Sequence, residues 1–344
     1  DINVHLRFEP AMICRILRES IYTETSSYDL INKKIETRNL EIILSFSKVT
    51  NNLNYWISRK IVSLGWLVSR MPLRFIFRLG AVLGTLYLFF GGRRRRIARR
   101  NIELCFSDLS SKERSKLLRE NFKESGIGLL ESLIPWLNPD RDLKKHFEIT
   151  GLDHLKSALS KNKGVILIGA HFTSIDICCQ PLSELESVAV IYRKNKNPVW
   201  EDLQTLGRLN FFDHVIDRGD MRKTLRHLKS GKIIWYAPDQ DYGIRHSVFA
   251  PFFGIQAATI TATERIASSN SSPVLCFSVK RDNKRRKWNL VFDKEITNFP
   301  AKSSFESAKI LNNALEKIIK ECPEQYLWMH RRFKTRPPGE ISLY

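Results

Sequence analysis

The segment GVILIGAHFTSID, residues 164–176, decides the fold of this chain. Its first seven residues are apolar or glycine, which is the pattern of a strand buried on both faces. His171 follows directly, and Asp176 comes five residues later. The segment therefore predicts a buried strand that ends in a polar loop.

Three further apolar runs resemble this strand, at 187–192, 232–237 and 273–279. Amphipathic stretches near 198–209, 220–229 and 259–269 lie between them and are predicted helices. Strands that alternate with helices are typical of sheets covered on both faces. We therefore predict an α/β fold with a mixed, partly parallel sheet covered by helices. A further helix is predicted from Ser110, with Ser111 as its cap.

Residues 53–92 are mainly apolar, but arginines interrupt them and Pro72 lies near their middle. Arg70, Arg74 and Arg78 recur every fourth residue, so on a helix they form a basic stripe beside apolar faces. Six arginines follow between 93 and 100, as on the cytoplasmic side of membrane segments. We predict an N-terminal helical membrane anchor. It either lies in the headgroup layer or spans the bilayer over about 55–75; a buried core hairpin is the third interpretation.

This anchor divides the chain into three predicted parts. Residues 1–52 are an extension without an interpretable pattern and without the sections of a signal peptide, 53–92 form the anchor, and 93–344 form the α/β domain. The six cysteines are scattered and lack zinc-type spacing, which favours a reduced, cytoplasm-facing protein.

The charge balance predicts an acidic partner. Lys and Arg number 56 against 36 Asp and Glu, a formal charge of +20. Nucleic acid, anionic lipid and an acidic protein would each fit. A membrane-tethered nucleic-acid-binding protein is one reading, but the sequence has no helix-turn-helix signal, zinc spacing or RNA-binding string. We therefore expect no nucleic-acid partner.

The loop after the first strand carries the residues for a possible reaction. A histidine at the carboxyl end of a strand, oriented by a carboxylate, can accept a proton from an alcohol. Asp176 can reach His171 if it lies on the first turn of the next helix; otherwise this is an ordinary polar loop with a capping aspartate. No GxSxG elbow is present, which favours direct transfer over a covalent intermediate. Asp239 and Asp241 suggest a metal site only weakly, and we expect neither metal nor cofactor.

Several longer strings resemble the late lipid A acyltransferases of Gram-negative bacteria, in particular the lauroyl-type members. They are GAHFTSIDI (169–177), YRKNKNP (192–198), WYAPDQDYG (235–243), SVFAPFFG (247–254) and PEQYLWMHRRFKTRPPGE (323–340). The likeness extends from about Tyr55 to Tyr344.

This resemblance implies an enzyme that transfers an acyl group, lauroyl or similar, from an acyl carrier protein thioester to a hydroxyl of a Kdo-bearing lipid A precursor. It implies a place in the inner membrane, with the catalytic domain on the cytoplasmic face. The family's catalytic dyad maps onto His171 and Asp176, and two substrate-binding positions map onto Arg208 and Asp239. A related acyltransferase acting on a lysophospholipid or another membrane lipid is the alternative.

Overall fold

The computed structural model describes residues 53–344, with side chains from Lys60 onward, and Trp56–Tyr344 form one compact unit. The helices are α1 (Leu53–Arg70), α2 (Leu73–Phe90), α3 (Gly92–Cys105), α4 (Ser111–Glu131), α5 (Leu133–Leu137), α6 (Leu152–Leu159), α7 (Cys179–Ser183), α8 (Pro198–Leu209), α9 (Met221–Lys229), α10 (Ala262–Asn270) and α11 (Ser304–Glu321). Short 3-10 turns cover Lys144–His146, Ile175–Cys178 and Pro323–Gln325.

Seven strands form one sheet. They are β1 (Phe147–Thr150), β2 (Val165–Ile168), β3 (Val188–Tyr192), β4 (His214–Asp217), β5 (Ile233–Tyr236), β8 (Val274–Asp282) and β9 (Lys287–Glu295). Their order across the sheet is β1-β9-β8-β2-β5-β3-β4. Every neighbouring pair is parallel except β8 and β9, which are antiparallel. Strands β6 (Ser247–Phe252) and β7 (Ile255–Ile260) form a separate antiparallel hairpin. The predicted mixed, partly parallel sheet is confirmed.

Strand β2 lies inside the sheet and is buried on both faces, as its apolar sequence predicts. Val165 and Leu167 pack into one hydrophobic core, and Ile166 and Ile168 pack into the other. All four side chains are fully buried. Helices therefore cover both faces of the sheet, and the polar groups of the site lie past the strand ends.

The residues of the predicted anchor form two helices with a break between them. Helix α1 ends at Arg70, and Pro72, which cannot donate a helical hydrogen bond, precedes α2. A continuous helix over 55–75 is therefore wrong, and the arginine stripe is divided between α1 and α2. Of the described helices, α2 is the one that is long and apolar enough to cross a bilayer, but one third of that stretch is buried against the protein.

Helix α2 packs closely on α4 because glycines form the contact. A Cβ atom on Gly84 would lie 2.1 Å from the carbonyl oxygen of Phe122, and one on Gly126 would lie 2.1 Å from the carbonyl oxygen of Gly80. Ile76 and Phe77 on the same helix are buried in the core that also contains β2 residues. Part of α2 is therefore core of the α/β unit.

Two boundaries differ from the predictions. Ser110, not Ser111, caps α4, and its hydroxyl and the Glu113 carboxylate form a capping box. The predicted helix near 259–269 begins at Ala262, because the residues before it belong to β7.

We predict that Gly84→Ala destabilises the protein by about 1–3 kcal/mol, because the added methyl group overlaps backbone that cannot move without separating α2 from α4. Thermal unfolding in detergent measures this. Gly92→Ala is the matched control, since a Cβ there meets nothing within 4 Å. Equal melting temperatures for the two variants would contradict the close α2–α4 contact.

Candidate active site

The centre of the site is a histidine–aspartate pair in the loops that follow two neighbouring strands, β2 and β5. Nδ1 of His171 lies 2.5 Å from Oδ1 of Asp239, and the backbone N–H of His171 donates to Oδ2 at 3.0 Å. Asp239 is 1 % exposed, whereas the His171 side chain is 29 % exposed. The carboxylate is therefore buried beneath the imidazole, and the imidazole faces the cavity beside it.

The register of the sheet explains why these two residues meet. Strands β2 and β5 are parallel neighbours, and their last residues, Ile168 and Tyr236, are paired. His171 and Asp239 each follow their strand end by three residues. The carboxyl ends of parallel strands are where open α/β sheets bind ligands.

The charges of the pair shift both pKa values in the directions of an ion pair. Burial alone would lower the pKa of His171, but the charge of Asp239 and its hydrogen bond outweigh burial and raise it above 6.5. Burial would raise the pKa of Asp239, but His171 lowers it to about 2. Asp239 is therefore an anion at neutral pH, so Nδ1 carries the hydrogen of the 2.5 Å contact. Nε2 has no hydrogen-bond partner among the residues the structure describes.

Asp176 occupies a different position from the one predicted. It lies on the 3-10 turn Ile175–Cys178, where Oδ1 accepts from Nε of Arg208 at 3.2 Å and from Nη2 at 2.8 Å. In this structure Asp176 bonds Arg208 on α8 and His171 bonds Asp239, so the conditional contact between Asp176 and His171 is not formed. The charge of Asp176 still raises the pKa of His171, but by less than Asp239 does.

Arg208 and Asp239, the two predicted substrate-binding residues, differ in whether they line the cavity. Arg208 lines the cavity beside Asp176, as a substrate-binding residue would. Asp239 does not line it, and both of its carboxylate oxygens already bind His171. Direct contact of Asp239 with a substrate is therefore not what this geometry favours.

Residues 323–330, which we call the C-terminal strap, form hydrogen bonds with the loop that carries His171. The backbone N–H of Leu327 donates to the His171 carbonyl at 3.0 Å, and that of Thr173 donates to the Gln325 carbonyl at 2.7 Å. The backbone of the strap therefore fixes the loop that carries His171.

Two asparagine side chains hold this strap in turn. Asn121 on α4 donates to the carbonyls of Glu324 and Tyr326, and Asn101 on α3 donates to those of Trp328 and His330. Each amide thus bridges two carbonyls of an otherwise irregular segment. Helices α3 and α4, which are remote in sequence, therefore determine where the strap lies.

A buried ion cluster supports the other side of the loop. Arg281 on β8 pairs with Glu124 and Glu131 of α4 at 2.5 Å each, and its guanidinium also donates to the Thr173 hydroxyl at 3.3 Å. Burial raises the pKa of Glu131 to about 7 although Arg281 opposes the shift. The cluster connects α4, β8 and the residue two positions after His171.

The cavity beside His171 has a volume of about 680 Å³, within the range of ligand sites in proteins. One part of its wall is apolar and includes Ile191, Met221, Trp235 and Ile266. The rest of the wall is polar and contains five arginines and one carboxylate. The arrangement can hold a molecule with an apolar part and anionic groups beside an imidazole able to accept a proton.

Asp239 and Asp241, considered as possible metal ligands, have other partners. Asp241 accepts from the backbone N–H and the hydroxyl of Thr335, and Asp239 binds His171. Within residues 53–344, no three side chains of metal-ligating type gather. The metal-free mechanism stays a prediction.

Comparison with known proteins identifies the family. The profile of the bacterial lipid A biosynthesis acyltransferases matches residues 43–335. This chain belongs to that family. It is 37 % identical over 300 residues to the lipid A biosynthesis lauroyltransferase of Escherichia coli, covering 87 % of this chain and 98 % of the relative.

Members with other names are also similar to this chain. The palmitoleoyltransferase of Escherichia coli is 36 % identical over 300 residues, with the same coverage, and its myristoyltransferase is 26 % identical over 312 residues, covering 89 % of this chain and 95 % of the relative. The chain is thus an acyltransferase of lipid A biosynthesis. The predicted family is confirmed.

The pair predicts a particular pH dependence. If neutral His171 is the base, activity falls as the pH drops through its pKa, which lies above 6.5. Asp239→Asn removes the largest influence that raises this pKa, so the acidic limb of the kcat profile should move to lower pH while the maximal rate falls. Asp176→Asn should move the limb less. An unmoved limb in Asp239→Asn would contradict the pairing.

Proposed function

We propose that the enzyme transfers an acyl group from an acyl carrier protein thioester to a hydroxyl of a lipid A precursor, with His171 as the general base. The single observation behind this role is the 2.5 Å contact of His171 Nδ1 with buried Asp239, because it leaves Nε2 free beside the cavity. The family membership supplies the reaction class.

In the proposed reaction, Nε2 of His171 accepts the proton of the acceptor hydroxyl as the hydroxyl oxygen attacks the thioester carbonyl. The new C–O ester bond forms and the C–S bond breaks. His171 then returns the proton to the leaving thiolate, so an ester and a free thiol result without an oxidant or reductant. Direct transfer of this kind needs no enzyme-bound acyl group.

Asp239 acts through His171 and is therefore a positioning residue. Its carboxylate fixes the tautomer with hydrogen on Nδ1 and stabilises the imidazolium that forms when Nε2 takes a proton. Arg208 and Asp176 also line the cavity, where they form an ion pair with no net charge. We assign Arg208 to substrate binding and Asp176 to holding its guanidinium in place.

We predict that His171→Ala lowers kcat by about a hundred- to ten-thousand-fold, the range for loss of a general base, without unfolding the protein. Acyl transfer is measured with a radiolabelled carrier protein thioester and detergent-solubilised acceptor. Asp176→Glu, which keeps a carboxylate near Arg208, should retain more activity than Asp176→Asn. Near-normal turnover by folded His171→Ala would refute the mechanism.

We also propose that the enzyme binds the cytoplasmic face of the inner membrane through α1 and α2. Large apolar side chains are exposed there, including Leu64 on α1 and Leu86, Phe89 and Phe90 on α2, the last at 84 %. An apolar surface of this extent marks an interaction site. Only two glycines separate Phe90 from the arginines in the first turn of α3, where anionic headgroups would meet them.

The membrane proposal predicts how salt and substitutions in α2 change membrane binding. High salt alone should leave the enzyme in the membrane fraction, whereas detergent should release it, because apolar insertion resists salt. Phe89→Gln with Phe90→Gln should weaken binding to anionic vesicles by about 1.5–3 kcal/mol per phenylalanine. Ile341→Gln, also at an exposed apolar residue, is the control and should bind normally. Clean release by salt would contradict apolar insertion.

A further inference from the structure

The cavity beside His171 carries a large excess of positive charge. Five arginines and one carboxylate line it, a formal excess of 5 − 1 = +4. The carboxylate, Asp176, pairs with one of the five, Arg208. The remaining four, which we call the rim arginines, are Arg193, Arg218, Arg245 and Arg265.

The rim arginines come from four separate parts of the fold. Arg193 directly follows β3, Arg218 directly follows β4, Arg245 lies in the loop before β6, and Arg265 lies on α10. All four are exposed, and none forms an ion pair with a carboxylate of the described residues. The guanidinium of Arg218 lies 5.2 Å from the ring centre of Tyr242, which limits where that arginine can move.

Four cations around one cavity repel one another, so their convergence has an energetic cost unless an anion neutralises them. Guanidinium groups suit phosphate in particular, because two parallel N–H donors match two phosphate oxygens. Elsewhere on the surface, cations such as Lys161, Lys232 and Lys317 are paired with carboxylates. The four rim arginines, in contrast, converge on one cavity without a carboxylate partner among the described residues.

We propose that the rim arginines bind the phosphate groups of the acceptor's headgroup and so orient its hydroxyl towards His171. This inference rests on the proposed function and adds the residues that select a multiply anionic glycolipid. An uncharged or singly charged lipid would leave several guanidiniums without partners. The rim therefore discriminates against membrane lipids that carry one phosphate.

The charge count favours the acceptor over the carrier as the ligand of the rim. The phosphodiester of a carrier's prosthetic arm brings one negative charge, which four guanidiniums exceed. The four rim arginines line one cavity beside His171, so a single multiply anionic headgroup in it can meet them together. The apolar wall of that cavity, which includes Ile191 and Met221, suits the acyl chains of an amphipathic ligand.

The test is steady-state kinetics and equilibrium binding of the full-length enzyme in detergent, with a phosphorylated lipid A precursor and the same lipid after phosphatase treatment. Arg245→Gln with Arg265→Gln should raise the acceptor KM and Kd about tenfold or more, because charge-assisted hydrogen bonds to the acceptor are lost. The kcat and the donor KM should stay nearly unchanged. With the dephosphorylated lipid, wild type and variant should be alike.

The matched control is Arg226→Gln with Lys229→Gln, which removes the same charge from exposed positions on α9 that do not line the cavity. Equal acceptor affinity in the rim variant and wild type, or an equal loss in the control, would overturn the inference. A rise in the donor KM alone would assign the rim to the carrier and overturn it too. If wild type binds the phosphorylated lipid through the rim but transfers no acyl group to it, the proposed function fails and the binding inference stands.

Discussion

The site depends on the hydrogen bond between His171 and Asp239. It joins two loops that follow neighbouring parallel strands, and the paired ends of β2 and β5 set the distance between them. A buried carboxylate without a partner would be costly, so the imidazole and the backbone N–H of His171 stabilise Asp239. In return, Asp239 orients the imidazole. Fold stability and reactivity therefore depend on the same contact.

Much of the remaining structure maintains this contact. The C-terminal strap binds the His171 loop through Gln325 and Leu327, and Arg281 reaches the same loop from β8. Helix α4 supplies both Asn121 to the strap and two glutamates to Arg281. Because glycines let α2 approach α4 closely, the helices that we propose to meet the membrane are packed against the support of the catalytic loop. This geometry would hold His171 at a fixed position relative to a lipid surface.

The sequence was sufficient to predict the strands that are buried on both faces, because each of them is an unambiguous apolar run. Strands β1, β4, β6, β7 and β9 were not predicted. The exposed His214 in β4 and Pro251 in β6 weaken the apolar pattern of those two strands. His171 was found from its place after β2, but its partner was not. Asp176 is close in sequence, whereas Asp239 is brought near only by the pairing of β2 with β5, and sequence alone does not state which strands are neighbours. The available signal was that His171 and Asp239 each follow closely after a predicted apolar strand, 164–170 and 232–237.

The central claim is that Asp239, not Asp176, is the partner of His171. The most direct measurement is an NMR titration of the His171 imidazole in wild type, Asp239→Asn and Asp176→Asn, with ¹⁵N-labelled histidine. We expect a pKa above 6.5 in wild type, with hydrogen on Nδ1 in the neutral form, a clear fall in Asp239→Asn and a smaller fall in Asp176→Asn. A His171 pKa that is insensitive to Asp239→Asn but falls in Asp176→Asn would contradict the account.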